Sequence, residues 1–232
     1  MIAVAGGKGG SGKTTTTLGL ARALSRRGAA VVAADADWDL PNLARLAAET
    51  AGDSATAGPR SGAVEGDART VLDAARGGDP VRPDRAEPTV LAAPEAPRSV
   101  DANATFDALG GATPDPAPVL LDCPAGASPD VAAPLRAADR ALIATPLRRA
   151  ALRDAAKTAA IAERLDCPPL GAVVIGETDV PDEVAALLGC PVVGAIPDGG
   201  AAPLTDPSVR CAYDDLARRL AGTAAGAEWR IA

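Results

Sequence analysis

The chain has no histidine. No imidazole can act as a general base, a nucleophile's partner or a metal ligand, so hydrolases of the Ser-His-Asp and Cys-His kinds are excluded. Aromatic residues make up 2% of the 232 positions, and the 47% hydrophobic fraction is largely alanine with Leu, Val and Ile. The four cysteines, Cys123, Cys167, Cys190 and Cys211, stand far apart without a Cys-x-x-Cys pair. Such spacing signals neither a zinc site nor a disulfide framework, and buried, reduced thiols in a cytoplasmic protein are expected. No run approaches the roughly 18 apolar residues that suggest a membrane span. The opening Met1-Ile2-Ala3-Val4-Ala5 lacks the charged and long apolar regions of a signal peptide. Basic charge is scarce as well: 23 Lys and Arg face 30 Asp and Glu, a net charge of −7 that disfavours coating DNA through a basic surface. Lysine is the scarcest basic residue, with Lys8, Lys13 and Lys157 alone against arginine everywhere else.

The length suits one domain spanning 1–232. Short apolar runs lie at Ile2 to Ala5, Ala30 to Ala34, Thr89 to Ala92, Val119 to Leu121, Ala141 to Ala144, Ala172 to Ile175 and Val192 to Ala195. Helical spacing appears between them, around Leu18 to Leu24, Val131 to Leu135, Leu152 to Leu165 and Pro207 to Leu220. Continuous apolar strands alternating with helices are what a parallel sheet buried on both faces requires, so the expected fold is α/β and doubly wound. Residues 50–118 differ, being rich in Gly, Pro, Asp and Arg. They are expected to hold a weak helix, a strand and another helix joined by long, partly mobile loops, and 222–232 to be a frayed tail.

The first strand runs into Gly6-Gly7-Lys8-Gly9-Gly10-Ser11-Gly12-Lys13-Thr14-Thr15, a G-x-x-x-x-G-K-[ST] loop from Gly7 to Thr14. Its glycines let backbone N–H groups turn in around phosphates. Lys13 then reaches the β- and γ-phosphates, and the Thr14 hydroxyl is placed for Mg²⁺ at a helix N-terminus that favours anions. Three acids spaced two apart, Asp35, Asp37 and Asp39, follow the second strand, and Asp122 follows the fourth in Asp122-Cys123-Pro124-Ala125-Gly126. Acids clustered at strand ends are costly unless they hold a cation or a water.

With Lys8 included, the loop reads K-G-G-S-G-K-T-T and resembles the deviant Walker A signature of the MinD/ParA family of P-loop ATPases. The resemblance covers 1 to about 48 and 118–221, and implies ATP and Mg²⁺ as cofactors. By that resemblance Lys8 reaches the partner's nucleotide across an ATP-dependent homodimer, and Asp37 orients the attacking water. Asp35 and Asp122 support the Mg²⁺ shell, Asn42 lines the dimer interface, and Gly126 offers its N–H to the γ-phosphate. Trp38 is expected to pack under the loop. Ile196-Pro197-Asp198 resembles the family's adenine loop, whereas Ile175-Gly176-Glu177-Thr178 stands where the family usually has an adenine-reading Asn. The implied function is a slow, partner-stimulated ATPase switch that positions division, chromosome or motility machinery. Its alternatives are a nucleotide-gated binding module with negligible turnover and a DNA-partitioning ATPase; a metallocluster carrier is disfavoured by the isolated cysteines. Attachment to a membrane surface draws little support from a tail with one Arg and only Trp229 and Ile231 as bulky anchors.

Overall fold

A computed structural model describes residues 1–51, 69–77, 81, 85–113, 117–126 and 129–222. Its centre is a parallel sheet of seven strands: β1 (Ile2–Gly6), β2 (Val32–Asp35), β3 (Thr89–Leu91), β4 (Val119–Asp122), β5 (Arg140–Pro146), β6 (Pro169–Ile175) and β7 (Val192–Ile196). They lie in the order β3-β2-β4-β1-β5-β6-β7, so β1 is central. The helices are α1 (Lys13–Arg26), α2 (Leu43–Glu49), α3 (Val71–Ala75), α4 (Ala102–Ala112), α5 (Ala132–Ala137), α6 (Arg149–Arg164), α7 (Glu183–Leu188) and α8 (Pro207–Ala221).

The period-2 alternation of strands divides the core into two layers. Ala3, Ala34, Leu121 and Ile143 face one side, where Val71, Phe106, Leu135, Leu152 and Val184 bring in α3 to α7. Ile2, Ala33, Leu120 and Leu142 face the other, against Leu18 and Leu24 of α1, Leu43 of α2 and Val209, Tyr213 and Leu216 of α8. β1, β2 and β4 are buried along their whole lengths. That double burial explains why the strand runs read as continuous rather than alternating.

Small residues set the close approaches. A Cβ on Gly6 would sit 2.3 Å from the Ala144 carbonyl oxygen, and one on Gly19 would sit 2.4 Å from Tyr213 Cε2. Alanine and glycine therefore let α1 and the central strands pack at distances that larger side chains forbid.

All seven expected strands are present, and the middle segment carries the expected helix, strand and helix as α3, β3 and α4. Two short helices, α2 and α7, were not expected. They have seven and six residues. Much of the segment expected to be mobile, and residues 223–232 of the expected frayed tail, lie outside the described residues. Among the described residues no helix is long and apolar enough to cross a membrane.

Candidate nucleotide site

β1 ends at Gly6 and α1 begins at Lys13, and the turn between them needs glycine twice: Gly10 has φ 81° and Gly12 φ 85°. In that left-handed region a Cβ is strained. Lys8, Gly9 and Gly10 are exposed at the tip, whereas Ser11 and Lys13 are buried at 3% and 7%. Gly7 lies against α6, where a Cβ would come within 2.9 Å of Asp154 Cβ. Thr14 and Thr15 are half-buried in the first turn of α1, which has no acidic residue and no side-chain cap. Its free N–H groups and the helix dipole both favour an anion there.

Across the loop, β2 and β4 pair so that Asp35 is in register with Asp122. Both are 1% exposed. Burial, then the neighbouring Asp35, pushes the Asp122 carboxyl up to about 7, while Thr14, Lys13 and Thr17 pull it back. The Thr17 hydroxyl donates to Asp122 Oδ1 at 3.2 Å. Thr17 was missed in the sequence, although it stands one helical turn beyond Lys13 in the run Thr14 to Thr17 and so had to face the same way. Burial likewise raises Asp35 to about 6 against three backbone hydrogen bonds. Its Oδ1 accepts from Asp37 N at 3.1 Å, and its Oδ2 accepts from Asn42 N and Leu43 N at 3.0 Å each. Asp35 is thus the clamp that folds the 35–43 loop into the start of α2.

Asp37 sits within this loop, half-buried. Its Oδ1 accepts from Leu40 N at 3.2 Å. Burial raises its carboxyl, and the Lys13 ammonium acts in the opposite sense. The Trp38 indole N–H donates to Asp35 O at 3.0 Å, and its ring meets Phe106 of α4 at 5.2 Å. Trp38 therefore packs as expected. On the β4 side, Gly126 N donates to Gly7 O at 2.8 Å, which joins the second acidic loop directly to the phosphate loop. Asn42 is engaged through its side chain by Arg45.

Two features suit this loop to a nucleoside triphosphate and a divalent cation. Ser11 Oγ is buried without a hydrogen-bond partner, and Lys13 is buried without an ion pair among the described residues. Phosphate oxygens would satisfy both. Among the described residues no group of three or more carboxylates and thiols is gathered closely enough to hold a metal unaided. Mg²⁺ is commonly held by one or two carboxylates together with substrate phosphates and several waters.

The profile of the CobQ/CobB/MinD/ParA nucleotide binding domain matches residues 2–198. The chain belongs to this family. An uncharacterised ATP-binding protein of Methanocaldococcus jannaschii is 26% identical over 226 residues, which cover 90% of this chain and 75% of that protein. The septum site-determining protein MinD of Synechocystis is 29% identical over 247 residues, covering 96% and 89%. In fold, the chain resembles the septum site-determining protein MinD of Pyrococcus horikoshii, solved with Mg-ADP. That match has a TM-score of 0.75 and 21% identity, and covers 98% of this chain and 97% of that one.

In this MinD/ParA-type domain the other flank of the phosphate loop is formed by the ends of β6 and β7. A Cβ on Gly12 would lie 3.0 Å from Ile175 Cγ1. Ile175 is in register with Ile196, and Pro197 and Asp198 follow. Pro197 is half-buried and Asp198 exposed. The site residues read from the sequence therefore lie at the carboxyl ends of the strands, with Asp35, Asp37 and Asp122 on the β2/β4 side and Pro197 and Asp198 on the β6/β7 side.

Proposed function

We propose that this domain is an ATPase of the MinD/ParA type, using Mg²⁺ and switching between nucleotide-dependent states. The observation that carries the reading is Lys13, buried at the end of a glycine loop without an ion pair among the described residues, and near enough to draw down the carboxyl groups of Asp37 and Asp122. Lys13 and the inward N–H groups from Gly7 to Thr15 would bind the phosphates. Thr14, with Asp122 acting through water and Asp35 behind it, would hold Mg²⁺, which supplies charge neutralisation at the transferring phosphoryl group. Asp37 would orient the attacking water, after releasing Leu40 N. Lys8, exposed at the loop tip, would reach a second copy and add positive charge where the transition state is negative.

Two loops would carry the state outward. The 35–43 loop is held by Asp35 and Asp37, and the loop after β4 is held by Gly126 on Gly7. A γ-phosphate that draws on these groups biases both loops, and with them dimerisation and the docking of an activating protein partner. Such a cycle suits the positioning of division, chromosome or motility machinery.

Phosphate release by the purified protein with ATP and Mg²⁺ tests the reading. Slow turnover is expected, abolished by Lys13→Ala and by Asp37→Ala; unchanged turnover in both variants would remove the assignment. Asp37→Ala with ATP should also elute as a dimer on size exclusion. Nucleotide binding without single-turnover hydrolysis would favour the binding-module alternative.

A further inference from the structure

Thr16 and Thr17 of α1 are both 0% exposed, and each hydroxyl has a definite partner. Thr16 Oγ1 lies 3.3 Å from the Tyr213 hydroxyl, in the α1–α8 contact. Thr17 Oγ1 lies 3.0 Å from Lys13 O and 3.2 Å from Asp122 Oδ1. A buried hydroxyl costs stability unless it is hydrogen-bonded, and a valine would fill similar space without that cost. The hydroxyl at position 17 is thus explained by what it bonds rather than by packing.

One proton cannot serve both acceptors at once. Lys13 O stands at the i−4 position, where an α-helix already supplies the Thr17 N–H. An ionised carboxylate is the stronger acceptor of the two, since charge assistance roughly doubles the strength of a hydrogen bond. The Thr17 proton is therefore drawn to Asp122 whenever that carboxyl is ionised.

That bond sets a direction. The terminal torsion of an aspartate is broad, so rotamer preference alone leaves the plane of the Asp122 carboxyl at the end of β4 unfixed. Holding Oδ1 on α1 fixes the plane, and with it the aim of the other oxygen. Thr14 also hydrogen-bonds Asp122, but its hydroxyl is the one offered to the cation. Thr17, one turn deeper and wholly buried, acts only through Asp122.

We propose that Thr17 is a positioning residue for the divalent cation. Its hydroxyl locks Asp122 Oδ1 to α1, so that the helix presenting Lys13 to the phosphates also aims the carboxylate on β4. The inference rests on the Mg²⁺-nucleotide reading above and adds to it a residue that the phosphate-loop motif does not include.

Calorimetric titration of the full chain with the non-hydrolysable analogue AMPPNP, in EDTA and again in excess Mg²⁺, tests it. Thr17→Val removes the hydroxyl and keeps the branched shape. Its affinity for AMPPNP in EDTA should match that of the unaltered protein. The factor by which Mg²⁺ tightens binding should fall about tenfold or be abolished, the lower end of the range for loss of an outer-shell partner. Thr17→Ser, which restores the hydroxyl, should recover most of that factor. Thr17→Ala carries the same expectation as Thr17→Val should the latter not melt cooperatively. An unchanged Mg²⁺ factor in the hydroxyl-free variant overturns the proposal. So does a Thr17→Ser protein no better than Thr17→Val, because the effect would then lie in packing. Binding weakened equally with and without Mg²⁺ overturns it as well, since the phosphate loop rather than Asp122 would be the part affected. In all three cases Mg²⁺-dependent binding by the unaltered protein leaves the ATPase reading standing. An unaltered protein that binds no AMPPNP, or binds it regardless of Mg²⁺, overturns both.

Discussion

The two ends of α1 sit in opposite environments. Its first residues carry Lys13, Thr14 and, one turn on, Thr17 into a cluster with Asp122 and Asp35, two buried carboxyls that burial shifts toward the neutral form. From Leu18 onward it carries Leu18, Leu20 and Leu24 into an apolar layer with Val209, Tyr213 and Leu216 of α8. Burial near the first turn works against the charged groups, because it removes solvation that hydrogen bonds replace only in part. Burial from Leu18 onward is favourable at about 25 cal/mol per Å². The same helix is thus anchored at one end so that it can carry unfavourable charge at the other.

The strongest way to break this comparison is to remove the charge that the first turn exists to place. Lys13→Ala should lower ATP turnover about 10²–10³-fold or more, the size expected for a donor aimed at developing phosphoryl charge. It should leave the melting temperature of the nucleotide-free protein nearly unchanged, since Lys13 makes no ion pair among the described residues. Thermal melts alongside phosphate release would check both. A large loss of stability would mean that Lys13 supports the fold rather than the chemistry.

In the apolar part of the helix, Gly19 gives the second test. Glycine to alanine inside a helix ordinarily stabilises by about 0.5–1 kcal/mol. Here the new Cβ would meet the Tyr213 ring at 2.4 to 2.8 Å, and Tyr213 is 1% exposed with its hydroxyl 3.3 Å from Thr16 Oγ1. Overpacking of this kind costs about 1–3 kcal/mol. Gly19→Ala should therefore lower the melting temperature, and a rise would show that the α1–α8 contact yields easily.

Most of this arrangement was legible in the sequence, for reasons that differ by residue. The strands were readable because double burial makes them continuous apolar runs, and the loop because Gly10, Gly12 and Lys13 each meet a requirement that few other residues meet. The helical spacing from Lys13 announced the direction of Thr17, but neither its bond to Asp122 nor the clamp role of Asp35 was readable. Their importance depends on the register that sets Asp35 beside Asp122 and on the path that brings Asn42 and Leu43 back over β2. The fit of Gly19 to Tyr213 joins residues 194 positions apart, and no local pattern announces it.

A third test turns on the sign of the carboxyl shifts. Asp122 and Asp35 are raised to about 7 and about 6 in the folded chain, above an unfolded value near ~3.9. A folded state with the higher value binds protons more tightly. Its stabilising contribution is therefore complete below about pH 4 and is lost as pH rises through 6 and 7. The nucleotide-free protein in EDTA should melt at a higher temperature at pH 5 than at pH 8. Asp122→Asn removes one of the two charges and should recover on the order of 1 kcal/mol at pH 8. An identical pH slope in the variant would mean that the Asp35–Asp122 pair is not the source.

The smallest effect is expected where charge meets charge in solvent. At the far end of α1, Arg26 donates through Nε and Nη2 to Asp214 Oδ1 of α8 at 3.0 and 2.6 Å, with side-chain exposures of 33% and 38%. Partly exposed pairs of this kind contribute about 0.2–1 kcal/mol, because water screens both partners and ordering two side chains costs entropy. Arg26→Ala should lower the melting temperature slightly, and the difference should fade in 1 M salt, where the screening length is about 3 Å. The Asp122→Asn effect should persist in the same salt, since ions do not reach a carboxylate that is 1% exposed. If salt erased both effects alike, the acids at the first turn would be open to solvent, and the contrast between the two ends of α1 would be lost.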